Sequence, residues 1–153
     1  MIRRRLGMTR RHVLVASGGL FALASVGRVE AADVSAAERA NIQIVNDFVA
    51  AWPGHDLARI MAFFDDAGVY RMTETTDPAR GREAVTARIK TIIDRVERFE
   101  VLDTFARGPM VINERIDHFS SGALKAWHGV GVFFLKDRKI VEWSDYTISM
   151  DRG

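Results

Sequence analysis

Arg115 and Asp117 stand two residues apart in Val111-Ile112-Asn113-Glu114-Arg115-Ile116-Asp117-His118-Phe119, a stretch that alternates like a β-strand. In a strand, such residues emerge on one face about 7 Å apart. A guanidinium bridges that gap to its neighbour's carboxylate and keeps donors for a second acid. Asp145, in Val141-Glu142-Trp143-Ser144-Asp145-Tyr146, is the candidate second acid, because it shares a strand face with the apolar Val141 and Trp143. Two carboxylates joined through one arginine make an acid/base site. In an apolar pocket they resist double ionisation, so one keeps a proton near neutral pH while the other acts as base. From spacing alone, an Arg–Asp pair of this kind is more often a surface ion pair.

Other residues have two readings each. Tyr70 is either a site hydroxyl or a wall residue whose hydroxyl is satisfied elsewhere. Met72, Phe105, Phe119 and Trp127 line an apolar substrate cavity or simply pack the core. His128 sits between Trp127 and Gly129 with the wrong parity for the pocket wall, which makes it structural or interfacial. His55 precedes a helix and His118 faces away from Asp117. With no clustered His, Asp or Glu at ligand spacing and no cysteine, neither a metal nor another cofactor is expected.

The elements that must hold these residues are readable in order. Ser35 and Glu38 form a capping box, and Ile42, Val45, Phe48, Val49 and Trp52 recur at helical spacing until Pro53-Gly54. Asp56 caps a second helix with Leu57, Ile60, Met61 and Phe64 as its buried stripe. Residues 65–68 read as a turn, Val69 to Met72 as a short extended piece and Thr73 to Arg80 as a loop. Gly81-Arg82-Glu83 opens a third helix with Val85, Ile89, Ile92, Ile93 and Val96 on one face. Strand patterns follow over Phe99–Phe105, Met110–Phe119, Leu124–Leu135 and Ile140–Met150, with Gly129 and Gly131 as bend points. The expected fold is therefore α+β: three N-terminal helices against a curved, mostly antiparallel sheet, drawn as a four-stranded meander.

The 153 residues suit one folded domain preceded by a leader. Residues 1–31 hold six arginines and one acid, leaving 16 basic and 19 acidic residues in 32–153. The folded part is mildly acidic, which excludes the footprint of a nucleic-acid binder. Basic residues up to His12, an apolar run from Val13 to Val26 and small residues near Ala31 follow the grammar of an export signal. The run is too short for a membrane anchor. Thr9-Arg10-Arg11-His12-Val13-Leu14 resembles a twin-arginine signal, so a periplasmic or extracellular protein cleaved near Ala31 is expected. The alternative reading is an uncleaved N-terminal helix.

Several phrases together resemble the limonene-1,2-epoxide hydrolase family, within the NTF2-like (SnoaL-like) cone fold. They are Phe63-Phe64-Asp65-Asp66 with Val69-Tyr70, Gly81-Arg82-Glu83-Ala84-Val85, Glu114-Arg115-Ile116-Asp117, Gly131-Val132-Phe133, and Lys139-Ile140 with Trp143-Ser144-Asp145-Tyr146. Glu-Arg-Ile-Asp combined with Trp-x-Asp-Tyr is the selective part. The resemblance implies one-step opening of a small hydrophobic epoxide, without metal, cofactor or covalent intermediate. It makes Asp145 the base toward water, Asp117 the acid toward the epoxide oxygen, Arg115 the bridge, and Tyr70 a holder of the water. It also implies a homodimer through the outer sheet face, with Ile112, Ile116 and Ser144 as candidate contacts. The sequence departs from the pattern at Met72, where an asparagine would help hold the water; Thr73, Glu74 and Asn113 are possible substitutes. Ser144 replaces an arginine, and the loop around Ser120 to Ala123 is short. The competing readings are another NTF2-like enzyme of the isomerase or cyclase type, using Asp145 or Asp117 as base, and a non-catalytic module that binds a small hydrophobic ligand.

Overall fold

The computed structural model describes residues 33–152; the export signal expected over residues 1–31 lies outside them. Helix α1 (Ala36–Ala51) starts at the capping box, where Glu38 N donates to Ser35 Oγ at 3.2 Å and Ser35 N to Glu38 Oε2 at 2.8 Å. Pro53 ends it in a 3₁₀ turn, Trp52–Gly54, and His55 reverses the chain at φ 53°. Asp56 then caps the short α2 (Leu57–Met61) by accepting from Arg59 N at 3.0 Å. α3 spans Gly81–Lys90, and a second 3₁₀ turn, Ile93–Arg95, leads into the sheet. The third helix is thus shorter than its apolar pattern suggests, and Val96 already opens a strand.

Six strands form one open curved sheet: β1 (Phe64–Arg71), β2 (Ala79–Arg80), β3 (Val96–Arg107), β4 (Met110–Phe119), β5 (Ala126–Lys136) and β6 (Lys139–Asp151). Their order is β2-β1-β6-β5-β4-β3. The expected meander is β3 to β6; β1 and β2 extend it beyond four strands. β1 joins parallel to β6, while every other strand pairing among the described residues is antiparallel. Phe64 belongs to β1 rather than to α2. Residues 65–68, read as a turn, bulge out of that strand between Phe64 and Val69. Gly68 makes the bulge possible, since a Cβ there would meet Asp65 O at 2.9 Å.

The helices cover one face, with α1 against β3 and β4 and α3 against β1. The core is an aromatic cluster around Phe48, whose ring meets Trp143 at 5.1 Å, Phe64 at 5.7 Å, Phe133 at 5.8 Å and Trp52 at 5.9 Å, all edge-on. Edge-to-face packing of this kind adds about 1 kcal/mol per pair beyond area burial. Among the described residues no helix is long and apolar enough to cross a membrane.

Candidate active site

β4 keeps strict alternation: Val111, Asn113, Arg115 and Asp117 are buried, while Ile112, Glu114, Ile116 and His118 lie half-covered on the opposite face. The face carrying Arg115 is the helix-covered one, so a charge at this position is taken into the core. Arg115, Asp117 and Asp145 are only 1%, 6% and 4% exposed. Burial of three ionisable groups together rules out the surface ion-pair reading.

Arg115 reaches Asp145 across the whole width of β5, a span of about 10 Å between β4 and β6. Its Nη2 donates to Asp145 Oδ1 at 3.0 Å and, at 3.4 Å, to Asp117 Oδ2. Its Nε stands 2.9 Å from Asp117 Oδ1. That approach is an ion contact rather than a hydrogen bond, because the N–H points off the line to the oxygen. The guanidinium carbon lies 5.1 Å from the Phe99 ring, 5.2 Å from Trp127 and 5.5 Å from Trp143. Aromatic faces on several sides favour a desolvated cation and fix its plane.

Glycine in β5 makes the crossing possible. Gly131 lies between Asn113 and Asp145 in register, and a Cβ there would come within 2.5 Å of Arg115 Nη1. At Gly129, paired with Arg115, a Cβ would strike the Trp127 ring at 2.2 Å. These glycines were expected only to bend the strand. Their spacing, Gly-x-Gly on one face in mid-strand, is itself the mark of a large group passing close to the backbone.

The two carboxylates are not equivalent. Asp145 Oδ1 accepts from Arg115 and, at 2.7 Å, from Trp143 Nε1, which leaves Oδ2 free of both donors. Asp117 receives only Arg115, and less directly. Burial pushes Asp117 up to about 7, with Arg115 pulling it down and the charge on Asp145 adding to the rise. Burial also raises Asp145, but Arg115, Trp143 and the Tyr70 hydroxyl all oppose that rise. Asp145, with three opposing groups against one for Asp117, is therefore the better-stabilised anion of the pair, which favours Asp117 as the group that holds the proton. Burial by itself would pull the Arg115 value down; the two acids outweigh it, so the guanidinium stays charged. Tyr70, stacked on Trp143 with ring centroids 4.0 Å apart, is raised by burial and then by Asp145, which keeps its hydroxyl protonated.

Above the pair lies a cavity of about 140 Å³. Tyr70, Asp117 and Asp145 line it together with Met72, Phe119 and Trp127; Thr73, Ile92, Arg95, Leu124 and Met150 complete the wall. Phe105 is not part of it. The register of β3 slips between Val101 and Asp103, so the chain advances one extra residue and its faces exchange. Phe99 and Val101 pair with Asp117 and Arg115, whereas Phe105 pairs with Ile112 on the outer face and is 51% exposed. Of the possible substitutes for a water-holding asparagine, only Thr73 lines the cavity. Glu74 accepts from Thr147 N and Oγ1, and Asn113 donates to Thr104 Oγ1 at 2.7 Å, away from the cavity. His128 and His118 pair with Glu114 and Glu100, both outside the cavity. Among the described residues no group of three or more His, Asp or Glu side chains is placed to hold a metal. The residues that sequence reasoning missed are Trp143 as a donor to Asp145, Phe99 as a face for Arg115, Gly131, and Arg95.

Comparison with known proteins agrees with this fold. Residues 45–143 match the SnoaL-like domain family, to which the chain belongs, and its sheet and helices are those of an NTF2-like cone. The chain is similar to the solved structure of an LEH-like epoxide hydrolase from M. tuberculosis, at 27% identity and a TM-score of 0.62, over 72% of this chain and 84% of that one. It also resembles in fold a candidate SnoaL-like polyketide cyclase from Jannaschia sp. CCS1 (15% identity, TM-score 0.66, 77% and 92% covered). A candidate ketosteroid isomerase from Kribbella flavida DSM 17836 is similar again (12% identity, TM-score 0.63, 73% and 80% covered). No curated protein matches the sequence.

Proposed function

We propose that this protein hydrolyses a small apolar epoxide to a vicinal diol in one step. The observation that carries the reading is the buried Arg115 in contact with both Asp117 and Asp145, two acids that line one apolar cavity. The ionised Asp145 takes a proton from a water molecule near Tyr70, and the water oxygen bonds to one epoxide carbon. The C–O bond of the ring breaks, and its oxygen takes the proton from Asp117. Asp145 ends protonated and Asp117 ionised, and proton exchange resets the pair once the diol leaves. Arg115 holds the two acids in register and keeps the negative charge of either state compensated. Acid and base assistance each contribute about 10²–10⁴-fold.

The cavity sets the scale of the substrate. A void of roughly 150 Å³ holds benzene, so one of about 140 Å³ takes a single six-membered ring. A buried charged trio is costly to keep in a module that only binds an apolar ligand, which argues against the non-catalytic reading. Met72 beside Tyr70 favours one competitor: with an apolar side chain at that place, Asp145 could take a proton from carbon next to a carbonyl, with Asp117 donating to the enolate. Product analysis separates the two. Cyclohexene oxide turned over in ¹⁸O-water yields trans-diol carrying one label, already in the first turnover; a label appearing only after several turnovers would mean a covalent intermediate. Isomerisation of a small unsaturated ketone, with no diol from any epoxide tried, would favour the competitor.

A further inference from the structure

Besides the two carboxylates, the cavity wall carries an arginine. Arg95 lines the wall from the 3₁₀ turn Ile93–Arg95. Its guanidinium carbon lies 5.8 Å from the Phe119 ring centroid. Gly122, at φ +89°, flanks it so closely that a Cβ there would come 3.0 Å from Nη1. The turn is tied to that loop, since the Arg95 carbonyl accepts from Ser120 N at 2.9 Å and from Ser120 Oγ at 3.3 Å. Among the described residues Arg82, Arg98 and Arg115 each have a carboxylate partner, but no carboxylate lies within 4.0 Å of the Arg95 guanidinium. The side chain is therefore oriented by an aromatic face and a glycine while its donors stay available in the wall of an apolar cavity.

We propose that Arg95 is a specificity-determining residue that binds a carboxylate on the substrate, so that the preferred substrate is a small epoxy acid. The inference rests on the epoxide-hydrolysis reading for the reacting end. One guanidinium with a planar fork of donors matches one carboxylate. Electrostatics sets the orientation. An anionic group is drawn to Arg95, whose charge no carboxylate of the protein compensates, rather than to the compensated Asp117–Arg115–Asp145 trio, which leaves the epoxide to the two acids. The volume limits the apolar body between them to about one ring.

The test compares the sodium salt of 3,4-epoxycyclohexane-1-carboxylic acid with its methyl ester, in the full-length protein and in Arg95→Met and Arg95→Lys. Selectivity is read as the ratio of kcat/KM for acid over ester. The wild type is expected to favour the acid about tenfold, the size of one partly exposed charged hydrogen bond. Arg95→Met is expected to abolish that preference through KM, and Arg95→Lys to restore part of it. An acid/ester ratio unchanged by Arg95→Met overturns the proposal. A second measurement does not depend on turnover: calorimetric titration with cyclohexanecarboxylate and cyclohexylmethanol at pH 7. Tighter binding of the acid in the wild type, lost in Arg95→Met, supports anion capture even if no epoxide is hydrolysed. Equal affinities for the two ligands would sink the proposal and leave the hydrolase reading standing.

Discussion

Replacing Gly131 with alanine puts one methyl group where the Arg115 side chain crosses β5. The new Cβ would lie 2.5 Å from Arg115 Nη1, 2.7 Å from Phe133 Cε2 and 3.1 Å from Asp145 Oδ1. Comfortable carbon–nitrogen contact is about 3.5 Å, so the guanidinium must retreat by about 1 Å. Arginine is normally flexible, but this one is held by two acids and three rings. The retreat stretches its 3.0 Å bond to Asp145 beyond hydrogen-bonding range. Losing a charged buried hydrogen bond costs about 1.5–3 kcal/mol, and overpacking about 1–3 kcal/mol. Relief of glycine's entropy in a strand returns roughly 0.5–1 kcal/mol. The net expectation is a loss of about 2–5 kcal/mol, read as a lower urea midpoint at unchanged slope. Turnover of cyclohexene oxide should fall about 100-fold, the usual consequence of a misplacement on the order of 1 Å. Wild-type stability together with a wild-type rate would refute the argument that Gly131 exists to let Arg115 through.

Three further outcomes follow from the same geometry. Asp117 sits at about 7 in the folded protein against 3.8 ordinarily, so its contribution to stability is full below pH 4 and is lost as pH rises through 7. Unfolding free energies measured from pH 5 to 8 should fall by an amount on the order of 2 kcal/mol, and Asp117→Asn should flatten that decline; a wild-type stability independent of pH would contradict the assignment. Met72→Asn should raise kcat on cyclohexene oxide several-fold by adding a water contact beside Tyr70, and an unchanged or lower rate would show that water positioning does not limit turnover. The outer sheet face carries Phe105, Phe134, Tyr146 and Ile148, all 38–55% exposed, around the half-covered Ile112; if that face pairs two copies, light scattering should find a dimer that Ile112→Glu turns into a monomer, while a monomeric wild type would remove the idea. Ser144, expected to share in that contact, is already covered within one chain at 6% exposure.

How far the sequence was legible depended on whether a residue's environment was local. Capping at Ser35 and the strand parity of Arg115, Asp117 and Asp145 are set within a few residues, and each placed its element or face correctly. Phe105 failed because a single extra residue near Leu102 exchanges the faces of β3, and nothing in an alternating stretch announces a bulge. The parallel pairing of β1 with β6 failed for a different reason. It joins segments about seventy positions apart, and the four residues that bulge from β1 look like a turn. Phe99 was not legible as a partner of Arg115, because that contact exists only once β3 and β4 are in register, whereas the bond from Trp143 to Asp145 lies within β6 and depends on how the indole turns over its own strand. Arg95 was unreadable as a cavity residue, since its place follows from where the 3₁₀ turn meets the loop after β4.

The account depends most on Asp145 acting as the base in a pair that shares a proton with Asp117. Its most direct test is the rate of diol formation from cyclohexene oxide by Asp145→Asn, measured beside Asp117→Asn with folding checked by circular dichroism. Removing either group should lower kcat by about 10²–10⁴-fold, and the surviving pH dependence should lose one of its two limbs in each variant. Diol formation at the wild-type rate in Asp145→Asn would contradict the relay outright.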